Sequence, residues 1–164
     1  MKTAVVYYSL DGSTRAAAQA IAAQKGADII ELVEKRGKRK GAWGFMKSGF
    51  QAAMKVKTKL KEDYTSQIRD YDTLYIGTPI WAALPAPAVN AFLHTADLKG
   101  KKVYAFILKG DPAPGSCPKA LEHLSSCVKA SGGEVMGIYE LHGGLPGKEP
   151  DTADVQKQVE SKIG

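Results

Sequence analysis

At 164 residues the chain fits one domain, expected to span 1–164 and to bury roughly 70% of its unfolded surface, so it needs no staple to fold. Its two cysteines, Cys117 and Cys127, form neither a Cys-x-x-Cys pair nor a disulfide framework, which makes a reducing cytoplasm the expected location. The net charge of +6 is local: residues 35–61 hold ten Lys or Arg and no acid, leaving 13 basic against 17 acidic residues, or −4, elsewhere, which argues against a fold-wide nucleic-acid surface. Asp11 interrupts the first apolar run too early for a signal peptide, and no run reaches the roughly 18 residues of a membrane span.

Thr3-Ala4-Val5-Val6-Tyr7-Tyr8 is apolar without alternation, as expected of a strand covered on both faces. Ser9-Leu10-Asp11-Gly12-Ser13-Thr14 then hands over to an alanine-rich helix from Arg15 to Gln24. Ala27 to Val33 alternates partly and reads as a more exposed second strand at a sheet edge. Lys35 to Lys40 is a basic run. After it Trp43, Met46, Phe50, Ala53, Met54 and Leu60 recur at helical spacing among lysines, an amphipathic helix weakened by Gly44 and Gly49.

Asp72 to Gly77 is a third strand, and Thr78-Pro79-Ile80-Trp81 is expected to be an irregular loop, with Pro79, Pro85 and Pro87 delaying the helix from Ala86 to His94. Lys102 to Leu108 is a fourth strand, Lys109 to Ser116 a loop, and Pro118 to Ser131 a helix stopped by Gly132-Gly133. Glu134 to Leu141 gives a fifth strand and Pro150 to Ile163 a last helix. Five βα repeats predict an α/β fold: a doubly wound, five-stranded parallel sheet of order 2-1-3-4-5 with helices on both faces.

In such a sheet ligands sit beyond the carboxyl ends of the strands, near the switch in strand order. Three loops converge there. Ser9 to Thr14 offers three hydroxyls, Gly12 for close backbone approach, and the free N–H groups of a helix's first turn, which suit an anion; the alternative is that Ser13 or Thr14 only caps the helix and Gly12 only turns the chain. Thr78 to Trp81 offers an aromatic plane, and Lys109, Gly110 and Asp111 open a glycine-containing loop. Together they suit a phosphorylated, flat, aromatic ligand.

Ser9, Gly12 and Thr14 fit a phosphate loop of the form Ser/Thr-x-Thr-Gly-x-Thr, and Gly77-Thr78-Pro79-Ile80-Trp81 fits a loop whose aromatic stacks on a flavin. In these two motifs and in element order the chain resembles the short-chain flavodoxins. The resemblance implies FMN, bound without covalent attachment by Ser9, Leu10, Asp11, Gly12, Ser13, Thr14, Thr78, Pro79, Ile80, Trp81, Lys109, Gly110 and Asp111, and no catalytic or metal-ligating residue. Two departures stand out. Asp11 occupies a position where the family has a hydroxyl donor, and its carboxylate would repel a phosphate unless it faces solvent or meets Arg15. Lys109 to Ser116 lacks the tyrosine that covers the second flavin face in carrier flavodoxins, which would leave that face open to a hydride donor or a quinone.

The implied role is electron transfer, or FMN-dependent reduction of a small acceptor such as a quinone, with redox proteins or NAD(P)H as partners. The alternative is a cofactor-free binding module of the same fold that engages an acidic partner or a membrane through its basic segment at about 35–61. Within that segment Lys35, Arg36, Lys38, Arg39 and Lys40 are preferred as a docking patch for an acidic redox partner or a phosphorylated nicotinamide, over an interfacial helix on anionic lipid; a plain solvated lysine face over packed apolar residues is the third reading. Lys109 is either solvated or places positive charge near the flavin. Cys117, near a helix start, is a candidate for a lowered thiol pKa but lacks a partner in sequence reach. His94, His123 and His142 show no metal spacing.

Overall fold

The computed structural model describes residues 1–35, 58–81, 83–110, 113, 115–144 and 149–164. Among them run β1 (Thr3–Tyr7), α1 (Ser13–Lys25), β2 (Asp28–Glu31), α2 (Tyr64–Gln67), β3 (Thr73–Trp81), β4 (Leu84–Pro85), α3 (Pro87–Thr95), β5 (Lys102–Lys109), α4 (Pro118–Ala130), β6 (Glu134–His142) and α5 (Thr152–Ile163). The sheet order is β2-β1-β3-β5-β6, all parallel, with β4 paired to β3 alone. With the two-residue β4 set aside, this is the expected 2-1-3-4-5 order, and β2 lies at an edge with Ile29 47% exposed.

The unbroken apolar run of β1 has the cause anticipated for it. Ala4, Val6 and Tyr8 enter a core shared with α3 and α4, whereas Val5 and Tyr7 enter another shared with α1 and α5. Each helix presents a stripe at spacing four: Ala17 and Ile21 on α1, Ala120, Leu124 and Val128 on α4, Val155, Val159 and Ile163 on α5. Alanines on α1 let it lie close against β1 and β3. Gly26 ends it in a left-handed conformation (φ 59°) that a side chain would strain.

Thr78 to Trp81 is not an irregular loop. Pairing with β5 persists to Pro79, opposite Leu108, and the strand then pairs antiparallel with β4, Ile80 opposite Pro85 and Trp81 opposite Leu84. The prolines do prevent helix here. Pro85 is tolerated because β4 is an edge with one neighbour, so its missing N–H leaves no interior ladder bond unmade. Lys109 likewise ends β5 rather than opening a loop.

Residues expected to continue β2, and the end of the expected amphipathic helix, meet in a different pairing. Glu34 bridges Leu60 antiparallel, with Lys35 N–H donating to Lys59 O and Lys61 N–H to Val33 O, both 2.8 Å. Leu60 therefore belongs to a strand-like stem and not to a helix. The stem is followed by α2, which Asp63 caps through Thr65 N–H and Ser66 N–H. The rest of the expected helix, from Trp43 to Met54, and Arg36, Lys38, Arg39 and Lys40 lie outside the described residues.

On the other edge, β6 has its outward backbone partly covered by α5. Gln158 exchanges two hydrogen bonds with the backbone of His142 (2.8 and 3.0 Å), and Lys162 donates to Glu140 O (2.7 Å), which blunts the edge against pairing with another chain.

Gly77, where β3 reaches the carboxyl edge, lies under the fully buried Phe106 ring, and a Cβ there would fall inside that ring. We expect Gly77→Ala to cost about 2–3 kcal/mol as overpacking in a core that cannot relax, read as a lower urea midpoint. Phe106→Leu in the same chain should recover part of the loss; additive effects of the two substitutions would show that the ring is not what Gly77 accommodates.

Candidate functional site

The loop after β1 folds around oxygen atoms of its own. Ser9 Oγ accepts from Gly12 N–H (3.1 Å) and Arg15 N–H (3.3 Å), and Asp11 Oδ1 accepts from Ser13 N–H (3.0 Å). Gly12, at the N-cap of α1, has φ 104°, a conformation only glycine takes without strain, and Ala16 N–H returns to its carbonyl (2.9 Å). The capping role considered for Ser13 and Thr14 is absent. Ser13 Oγ instead donates to Gly143 O (2.9 Å), tying the loop to the end of β6.

Thr14 stands apart. Of the first N–H groups of α1, those of Ser13, Arg15 and Ala16 are taken, and that of Thr14 is not. Its hydroxyl is buried and has no hydrogen-bond partner among the described residues. A buried hydroxyl left unmade costs roughly 1–3 kcal/mol, so this position holds unsatisfied donor capacity at the positive end of a helix.

Asp11 does not meet Arg15. Arg15 Nη2 pairs with Glu31 Oε1 at 2.6 Å, joining α1 to β2, and the Asp11 carboxylate, on an exposed residue, occupies Ser13 N–H. Leu10 packs against the core shared with α3 and α4.

At the end of β3, Thr78 is fully buried, its oxygen accepting from Ala86 N–H and its hydroxyl donating to Pro79 O, both 2.9 Å. That pins the β3–β4 hairpin to the start of α3. Pro79, Ile80 and Trp81 are half-buried. Trp81 meets Tyr8 edge to face, ring centroids 5.9 Å apart at 80°. The Tyr8 hydroxyl donates to Glu34 Oε2 (3.4 Å), and Thr58 donates to Glu34 Oε1 (2.9 Å). Glu34, 6% exposed, thus links the stem at 33–35 to the Tyr8–Trp81 pair.

Lys109 is neither solvated nor aimed at the crevice as a free charge. It is 6% exposed, and its ammonium donates to Ala113 O, Ser116 Oγ (3.0 Å) and Glu140 Oε2 (2.5 Å). Glu140 also accepts from Gly115 N–H (3.1 Å), and His142 Nε2 meets Gly110 O (3.1 Å). The loop is therefore held to β6 at three points. Asp111 lies outside the described residues. A cavity of about 570 Å³ opens beside this ion pair, along Tyr139 and α5, and includes no residue of the first loop.

Cys117 is the buried N-cap residue of α4, with Ser116 Oγ 3.8 Å away. Burial pushes the Cys127 thiol up, and its contact is His123 Nε2 at 3.5 Å. Asn90 donates to Pro85 O, so its Oδ1 faces His123 Nε2 (3.0 Å) and that nitrogen carries the proton; it cannot act as a base toward Cys127. Among the described residues no cluster of His, Cys, Asp and Glu could hold a metal, and no helix is long and apolar enough to cross a membrane.

Sequence reasoning therefore singled out the loops that meet at this edge and missed the carboxylates behind them, Glu34 and Glu140. Glu34 lies just past the run read as the second strand and Glu140 within the run read as the fifth, and each is engaged by a partner far along the chain, 24 and 31 residues away.

The Lys109 hydrogen bond, reinforced by Gly115 N–H, holds the Glu140 carboxyl below its usual range against the opposing effect of burial. The folded pKa is depressed, so the ion pair stabilises above the unfolded carboxyl value of about 4.3 and is lost as pH falls through the lower folded value. Glu140→Gln should remove that acid-side loss and cost roughly 3 kcal/mol near neutrality, because Lys109 stays buried without its counter-charge. Denaturation midpoints of both proteins from pH 3 to 7, expressed as approximate free energies, check this: parallel pH profiles would exclude Glu140 as the titrating group.

No curated protein sequence matches the chain significantly. Solved structures do. A protein from Bacteroides uniformis, provisionally described as a flavoprotein, is 24% identical with 97% of each chain covered and a TM-score of 0.76. A flavoprotein in complex with FMN from Lactobacillus acidophilus is 22% identical, covering 85% of this chain and 92% of its own, at 0.66. General stress protein 14 in complex with FMN from Treponema denticola is 14% identical, covering 99% and 96%, at 0.61. These likenesses concern the fold, whereas the flavodoxin family model matches the sequence itself over residues 2–141. With that match over the strand order and the loop after β1, the chain belongs to the flavodoxin family.

Proposed function

We propose that the chain binds FMN without covalent attachment and works as a redox protein, carrying electrons or reducing a small acceptor such as a quinone. Its donor and acceptor would be redox proteins, or NAD(P)H and that acceptor. The observation that carries the reading is Thr14: a buried hydroxyl with no partner and an untaken N–H on one residue, at the N-terminus of a helix that comes directly after a central strand. A phosphate is the chemistry that satisfies both. Two of the structural relatives are, by their own descriptions, FMN complexes.

The residues present fit the cofactor. Thr14, with Gly12 and Ser13 beside it, would hold the phosphate; Trp81 offers an aromatic side chain at the end of β3; and the loop pinned by Lys109 and Glu140 offers backbone from Gly110 onward. When bound, the flavin supplies one- and two-electron chemistry that no side chain of this set provides. The chain's own part is to position it and to keep the hairpin and loop rigid. Asp11 opposes binding, since its carboxylate holds Ser13 N–H and adds a negative charge near the phosphate.

Purified protein should be yellow and release a phosphate-bearing flavin on denaturation. Colourless protein that takes up no added FMN would end this reading. Thr14→Val should weaken FMN by roughly 1–3 kcal/mol while leaving riboflavin nearly unaffected, and should stabilise the flavin-free protein by about 1 kcal/mol, because an unsatisfied hydroxyl is replaced by a methyl of the same shape. Equal weakening of both flavins would place Thr14 away from the phosphate. Asp11→Asn runs the other way, tightening FMN by roughly 1 kcal/mol through loss of a like charge, again with riboflavin as the reference in flavin-fluorescence titrations.

A further inference from the structure

The stem formed by residues 33–35 and 59–61 has two chemically distinct faces. In an antiparallel pair the residues flanking a bridged position point away from it, so Glu34 and Leu60 share one face and Lys35, Lys59 and Lys61 the other. Burial obeys this alternation. Glu34 is buried and Leu60 half-buried, whereas all three lysines are exposed or nearly so. Lys35 and Lys59 lie directly opposite each other, at a Cα spacing of roughly 5.5 Å for such a pair. Like charges in that arrangement destabilise the pairing.

Among the described residues, none of the three lysines has an acidic partner to compensate it. The acids next in the chain are engaged elsewhere: Glu62 accepts from Gln67 Nε2 (2.7 Å), and Asp63 caps α2. The stem is also held firmly in place. Glu34 accepts from Thr58 and Tyr8, Val33 N–H donates to the Tyr64 hydroxyl (2.9 Å), and Tyr8 meets Trp81. An anchored, uncompensated cationic face therefore stands one residue removed from the aromatic pair at the crevice.

We infer that Lys35, Lys59 and Lys61 form a docking surface for an acidic protein partner. Charge distribution selects that class of partner. The excess of basic over acidic residues lies within 35–61, and the rest of the chain is net −4, so a nucleic acid or a membrane, which continues past any one patch, would meet repulsion beyond that segment. A protein with an acidic patch of limited extent avoids that repulsion. Val33, half-buried, is the one apolar residue on the outward face, too little to enter a bilayer. Docking itself does not require a flavin; its nearness to Trp81 serves electron transfer only on the reading proposed above.

The test uses full-length protein, with and without added FMN, and labelled poly-L-glutamate monitored by fluorescence anisotropy. Wild type should bind at low salt and release the probe as ionic strength rises toward roughly 0.3 M, where exposed charges are screened within several ångströms. K35Q/K59Q/K61Q should bind about tenfold more weakly or less, with an unchanged far-UV spectrum, while K99Q/K102Q/K129Q, with exposed lysines elsewhere, should match wild type. Equal losses in the two triple variants would reduce the effect to net charge and overturn the surface. Tighter binding to phosphatidylserine vesicles or duplex DNA than to polyglutamate, undiminished in the stem variant, would overturn the partner. Polyglutamate binding that survives in protein unable to take up FMN would uphold the surface while the flavin reading fails.

Discussion

Parallel pairing is the constraint on which the rest of the molecule depends. Each of the five main strands must return through a crossover, the crossovers place helices on both faces, and every strand then delivers its carboxyl end to the same edge. On β1 the consequence is residue by residue: Val5 and Tyr7 face α1 and α5, Ala4, Val6 and Tyr8 face α3 and α4, and the chain has no exposed side on which to place a polar residue until Ser9. Polar chemistry is thereby forced to the edge. Ser9, Thr78 and Lys109 are the first polar residues after three such runs, and all three are nonetheless buried, because each anchors the segment that leaves its strand.

That double role explains which features could be read in the sequence and which could not. The unbroken apolar runs of β1, β3 and β5 revealed the parallel sheet, and Gly12 revealed the turn into α1, because each is a local requirement on backbone or burial. The extension of β3 to Trp81 was hidden by Pro79, whose missing N–H reads as loop, although the ladder was ending there and the next pairing needed only an edge. Leu60 carries a helical spacing by coincidence of lysines and apolar residues, but its bridge to Glu34 depends on a partner 26 residues back. Lys109 is the same case in ionic form, since a lysine does not belong in a buried position unless a carboxylate such as Glu140 is there.

The two carboxylates, Glu34 buried and Glu140 half-buried, have parallel positions. Glu34 stands behind the hairpin that carries Trp81, reaching it through Tyr8; Glu140 stands behind the loop after β5, reaching it through Lys109 and Gly115. Each ties a segment at the carboxyl edge to an element beyond it, the stem in one case and β6 in the other. Polar networks thus brace this edge beside the apolar contacts of Leu10, Ile80 and Trp81 with the core. Such networks fix one arrangement strongly, and they fail when a single member is removed, because the remaining charge stays buried.

The first loop differs from both in being braced by side-chain oxygens of its own. Ser9 and Asp11 supply oxygens to the N–H groups of Gly12, Ser13 and Arg15, which ties the loop to itself. Had Thr14 been satisfied as well, by capping or by a bond within α1, the helix N-terminus would be closed and an arriving anion would gain only what it displaced. Leaving Thr14 unpaired puts unmet hydrogen bonding at a buried point, at the end where the helix dipole is positive. Asp11 works against this by partly neutralising the same field. On the reading proposed above, a threonine whose burial costs the folded chain stability has its physical explanation in the anion it would bind, an argument that rests on this asymmetry more than on any match of loop sequence.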